Sequence, residues 1–106
     1  MLDIADVQKL CNYKSIAITQ HARQRLVERG ISIKDVQDAI LSGEIIKQYE
    51  DDTPVPSCLI LGKTEQDIDV HVVASVDDKY LFIITAYLPS EDEWETDLKT
   101  RKGDKQ

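Results

Sequence analysis

The spacing of the apolar residues changes at Gly43, and few architectures accommodate that change. Ahead of it, Ile33, Val36, Ala39 and Ile40 recur at helical intervals. Beyond it, short β-branched runs alternate with turn residues. Ser32 is placed to cap the helix, Asp35 makes an Asp version of the capping box, and Ile31 and Val36 are spaced as a hydrophobic staple. Two more helices are expected upstream. A short one carries Ile4, Val7 and Leu10/Cys11 and ends at Asn12; a longer one runs from Gln20 to Arg29, capped by Thr19 and stopped by Gly30 in the left-handed conformation. Between them, Ser15–Thr19 reads either as a brief extended piece or as a lead-in to the next helix.

Four strands are expected after Gly43: Glu44–Tyr49, Ser57–Lys63, Ile68–Val76 and Lys79–Tyr87. The acidic loop EDDTPVP closes the first, because its two prolines prevent regular pairing. Tight connections at Glu65–Asp67 and Asp77–Asp78 join the others, which makes consecutive strands antiparallel. The expected fold class is therefore α+β, with N-terminal helices packed on a four-stranded antiparallel meander sheet. At 106 residues the chain has room for one domain, taken as residues 1–90, followed by a charged tail over 91–106 docked in part through Trp94.

No apolar run approaches the length of a membrane span, and the start MLDIADVQKL has no signal-peptide pattern. Cys11 and Cys58 are far apart and lack metal-ligand spacing. These features point to a cytoplasmic protein without a membrane, zinc or disulfide framework. Net charge is −7, and all of it lies in the second half: residues 1–50 hold seven basic and seven acidic residues, and residues 51–106 hold six and thirteen. Two basic islands interrupt this. One carries Arg23, Arg25, Arg29 and Lys34; the other carries Lys99, Arg101, Lys102 and Lys105. An acidic chain repels a polyanion over distance, so any nucleic-acid groove has to be locally basic.

On the second expected helix, His21, Arg25 and Arg29 fall at i, i+4 and i+8 and form one stripe along the border of the buried face. Two guanidiniums and an imidazole can hold a phosphate and move a proton near pH 7. The plain alternative is a solvated helix edge. His71 shares its strand face with Asp69, Val73 and Ser75. A two-residue hairpin loop would set Ile84 opposite His71, with Tyr87 on the other face. A three-residue loop would set Thr85 opposite His71 and Tyr87 diagonal to it. The plain reading of His71 is a sheet histidine satisfied by a neighbour. The scattered carboxylates read as solvated turns, the cysteines as buried small hydrophobes, and nothing specifies a metal or a cofactor.

The order TQHARQRLVERGISIKDVQDAILSGEIIKQY, PSCLILG, VHVVASV, LFIITAYLPSEDEW and then Arg101 resembles a small bacterial family labelled a domain of unknown function. That family is grouped with the barnase/RelE-like toxin nucleases, and some members are encoded beside zinc-finger antitoxins of the MqsA kind. Its motif residues fall here on Thr19, His21, Ala22, Arg25, Arg29, Gly30, Gly43, His71, Thr85, Tyr87 and Trp94. The resemblance implies a RelE/barnase-like fold, an RNA substrate, an antitoxin partner and metal-independent endoribonuclease chemistry. In that chemistry His21, Arg25, His71 and Tyr87 would be catalytic, and Arg29, Thr85 and Arg101 would bind substrate. The competing class is a non-catalytic module that binds a protein partner. Catalysis requires His21, Arg25 and His71 on one concave surface, whereas binding permits them to be scattered beside an exposed apolar patch.

Overall fold

Local signals set the helices. The computed structural model describes residues 1–53 and 55–102. Helix α1 spans Ile4–Lys9, α2 spans Gln20–Glu28 and α3 spans Ile33–Ser42. Thr19 caps α2, its hydroxyl accepting from the Ala22 N–H at 3.0 Å. Gly30, at φ +70°, closes α2 in a Schellman turn: the Gly30 N–H donates to Val27 and the Ile31 N–H to Leu26. The Ser32 side chain accepts from the Asp35 N–H at 2.9 Å, and the Asp35 carboxylate accepts from the Ser32 N–H at 3.0 Å, completing the capping box.

The strands are β1 (Ile16–Ile18), β2 (Glu44–Tyr49), β3 (Ser57–Lys63), β4 (Asp69–Val76) and β5 (Leu81–Tyr87). They form one sheet in the order β1-β5-β4-β3-β2. This corrects the expected four-stranded antiparallel meander: the sheet is five-stranded and mixed, because Ile16–Ile18 pairs in parallel with Leu81–Ile83. A three-residue strand is too short to show periodicity. Its partner lies at the far end of the chain, as parallel pairing with its long crossover requires.

A second correction concerns the β4–β5 hairpin. Its loop has four residues, Asp77–Tyr80, because the Asp77 carboxylate accepts from both the Lys79 and Tyr80 N–H groups at 2.8 and 2.7 Å. A bulge then shifts the register between Val73 and Ala74, leaving Ile84 as the extra residue. Neither expected register holds, and Tyr87 sits directly opposite His71.

All three helices pack on one face. Val7, Leu26, Val36 and Ile40 meet Ile60, Val70, Val72, Leu81 and Ile83 in an aliphatic core. Helix α3 approaches β3 so closely that a Cβ on Gly62 would overlap the Ala39 backbone. The other face carries Leu59, His71 and Ser75 and is covered by the loop after β2 and by the segment after β5. Lys105, the last cation of the second basic island, lies outside the described residues, as does Pro54 of the acidic loop.

Candidate functional site

The site grows from the β4–β5 pairing on the face opposite the helices. His71 is fully buried, although its alternation with Val70 and Val72 points it away from the apolar core. Residues beyond β5 bury it. Trp94, 5% exposed, stands edge-on to the imidazole with ring centroids 4.5 Å apart. An antiparallel bridge between Trp94 and Arg101 turns this segment back on itself. Leu98, near its tip, adopts φ +59°, a left-handed conformation costing roughly 1–2 kcal/mol for a residue with a Cβ.

Those contacts assign the imidazole's proton. The Leu98 carbonyl only accepts, so His71 Nε2–H donates to it at 2.7 Å, and Nδ1 carries the lone pair. The Tyr87 hydroxyl donates to Nδ1 at 3.3 Å. Burial lowers the His71 pKa, against the Leu98 hydrogen bond and Asp69, which raise it, so the ring is neutral at pH 7. Burial raises the Tyr87 pKa; Tyr49 and Glu93 act in the same direction, while Arg101 and Arg29 oppose it. The resting pair is therefore a phenol hydrogen-bonded to a neutral imidazole.

Two cations reach this hydroxyl's surroundings from different elements. Strand β1 pairs with β5 only as far as Ile83, so the edge of β5 is open beyond that point. Arg29, the C-cap of α2, fills the opening: its Nη1 donates to Thr85 Oγ1 at 3.0 Å and to the Ala86 carbonyl at 2.9 Å. Arg101 lies 5.8 Å from the Trp94 ring centroid and 3.8 Å from Glu93. Each guanidinium keeps donors that these contacts do not use.

The structure thus brings together His71, Thr85, Tyr87, Arg29 and Arg101 of the residues singled out in the sequence. It does not bring His21 or Arg25 to them. His21 is exposed on the first turn of α2, about 12 Å of helix rise from Arg29. Arg25 is exposed and pairs with Glu28 at 3.3 Å. The stripe exists as helical geometry, and among the described residues it is its C-terminal member, Arg29, that hydrogen-bonds to the sheet.

Sequence reasoning missed Tyr49, Glu93 and the Leu98 carbonyl. No local signal marks a backbone carbonyl as a histidine's partner, and Tyr49 and Glu93 sit in stretches that read as strand end and charged tail. Both cysteines are buried, with thiols pushed up by burial to about 11, so neither is poised as a nucleophile. Among the described residues, no group of three or more His, Cys, Asp or Glu is arranged to hold a metal ion. No helix among them is long and apolar enough to cross a membrane.

A family model described as Domain of unknown function (DUF4258) matches residues 18–88. No curated protein and no solved structure matches the chain. The matched span includes Arg29, His71, Thr85 and Tyr87, while Trp94, Leu98 and Arg101 lie beyond it. With two thirds of its length inside that match, this chain belongs to the DUF4258 family of domains of unknown function.

Proposed function

We propose that this protein is a metal-independent endoribonuclease, the toxin half of a bacterial toxin–antitoxin pair, acting in the cytoplasm. One observation carries the reading: the Tyr87 hydroxyl has a proton acceptor in His71 Nδ1, and two cations act on the phenol electrostatically, Arg29, which is bonded to neighbouring Thr85 and Ala86, and Arg101. The ordered motifs from Thr19 to Trp94 support the toxin-nuclease grouping, and two free cysteines suit a reducing compartment.

Cleavage of RNA without a metal needs a base for the 2′-OH, a proton for the 5′-oxygen and cations for the phosphorane. Tyr87 is the residue that touches substrate. Its oxygen takes the 2′-OH proton as its own proton passes to His71 Nδ1. The 2′-oxygen forms the new bond to phosphorus, the bond to the 5′-oxygen breaks, and that oxygen takes a proton from water. The hydroxide left behind takes back the proton held on His71 through Tyr87, which restores the resting pair. Arg29 and Arg101 stabilise the added negative charge. His71 acts through Tyr87 and is a positioning residue. This assignment replaces the one drawn from the sequence, which required His21, Arg25 and His71 on one surface. His21 lies two helical turns from Arg29 and Arg25 pairs with Glu28, so the reading now stands on Tyr87, His71, Arg29 and Arg101 instead.

The test is cleavage of a labelled single-stranded RNA in chelator. Tyr87→Phe, which keeps the ring, is expected to lower the rate by about 10²–10⁴-fold. Arg29→Ala is expected to cost about 10²-fold or more. His21→Ala and Arg25→Ala should stay within about twofold. Cleavage that survives Tyr87→Phe, or that His21→Ala abolishes, overturns this site.

A second reading, the non-catalytic binding module, is favoured by the exposed apolar side chains Phe82 and Ile84 on the same sheet face. If no RNA is cut or bound, that reading takes precedence.

A further inference from the structure

Away from Tyr87, the same sheet face carries an apolar strip that the described residues leave partly exposed. Phe82, Ile84 and Val55 are 36%, 45% and 48% exposed. Phe82 and Ile84 line two adjoining grooves. One, of about 560 Å³, runs between the acidic loop and the β4–β5 hairpin, past Val55 and Ser75. The other, of about 400 Å³, continues along Ala17, Ile18 and Thr19 at the outer strand of the sheet. The bulge helps to make the strip, because the extra residue Ile84 and its successor Thr85 both stay out of the core.

Charge indicates the occupant. Among the described residues, the charged ones lining the larger groove are Asp52 and Asp77, with exposed Asp51, Asp78 and Lys79 close by in the chain, and no Lys or Arg lines either groove. A second copy meeting itself through this strip would set these carboxylates against each other. A strand edge continuing from an apolar groove suits an extended chain, whose side chains alternate between groove and rim.

We infer that this strip is the docking surface for an extended segment of a partner protein in which apolar side chains alternate with Lys or Arg. Apolar side chains fill the groove over Phe82 and Ile84, and the cations meet Asp52 and Asp77. The surface is separate from the Tyr87 site, and the inference does not depend on RNA cleavage.

Two labelled ten-residue peptides probe it, one alternating Leu with Arg and the other Leu with Glu. Binding is followed by amide chemical shifts of the full chain and by fluorescence anisotropy. The Arg peptide is expected to bind saturably, with shifts centred on Val55, Asp77, Phe82 and Ile84. Ile84→Glu should weaken it at least about tenfold, since it removes buried apolar area. Asp52→Asn combined with Asp77→Asn should weaken it several-fold and flatten its salt dependence. Phe82→Ser provides a second, independent apolar variant. Equal binding of the Glu peptide, shifts centred elsewhere, affinity unchanged in both Ile84→Glu and Phe82→Ser, or no saturable binding would each overturn the inference. So would concentration-dependent dimerisation that Ile84→Glu abolishes, which would assign the strip to a second copy. RNA cleavage unchanged in Ile84→Glu keeps the outcome here distinct from the fate of the nuclease reading.

Discussion

One face of the sheet is buried by helices and the other in part by loops, and the two faces use different chemistry. On the helical face the core is aliphatic, from Val7 and Leu26 to Val72 and Leu81. On the opposite face Ser57, His71 and Ser75 are buried with Leu59 and Trp94, and each polar side chain has a partner: Asp52 for Ser57, Leu98 and Tyr87 for His71, and the Pro56 carbonyl for Ser75. Among the described residues no buried side-chain nitrogen or oxygen lacks a partner. An aliphatic face tolerates any cover of the right shape, whereas a polar one holds only when particular acceptors arrive. The reactive groups collect on the second face for that reason.

The largest expected effect tests the helical face. Gly62→Val inserts side-chain carbons where the Ala39 backbone already lies, so α3 must separate from β3. A loss of about 3 kcal/mol or more is expected, read as a collapse of the urea midpoint. A stable Gly62→Val protein would mean that α3 does not pack as described.

Truncations on the two faces should then differ in kind. Ile40→Ala opens a cavity in the aliphatic core and should cost about 2–5 kcal/mol globally. Trp94→Ala uncovers His71 and should act locally: a smaller loss of global stability, with faster hydrogen exchange at Leu98–Arg101 and a His71 pKa moving back toward 6.5. If Trp94→Ala unfolds the protein as completely as Ile40→Ala, the two faces form one cooperative unit and the distinction fails.

The smallest effect is a pH dependence confined to the second face. The folded state holds the His71 pKa below the usual value near 6.5, so between those two values the unfolded chain binds more protons. Stability is therefore full above about pH 6.5 and falls as the pH drops below it, levelling off beneath the folded pKa. Thermal melts from pH 7.5 to 5 should show this loss, and His71→Gln should reduce it. A His71→Gln protein with an unchanged acid slope would move the titration to other groups.

Local chemistry made the helices readable. Thr19, Gly30, Ser32 and Asp35 act within a few residues of themselves, so their caps follow from the sequence. The bounds of β2 and β3 were readable for a related reason, since proline and glycine punctuate them. Strand β1 was not, because its partner Leu81–Ile83 lies far along the chain and no local pattern points to it. Nor was the β4–β5 register, where a carboxylate bonding two N–H groups lengthened the turn and a bulge shifted the remaining pairs.

The candidate site divides along the same line. Residue type and spacing singled out His71 and Arg29, with Thr85 and Tyr87 depending on the hairpin loop, and the family resemblance added Arg101. Periodicity also joined His21 to Arg29, but a stripe can be continuous along a helix while its hydrogen bonds to the sheet come from one end, here Arg29. From the sequence alone come the helices with their caps and the bounds of β2 and β3, all products of interactions over a few residues. The fifth strand, the facing of Tyr87 and His71, the burial of His71 by Trp94 and Leu98, and the seating of Arg29 on β5 were decided only by the tertiary structure. Each depends on groups that are distant in the chain and meet only after the sheet has closed.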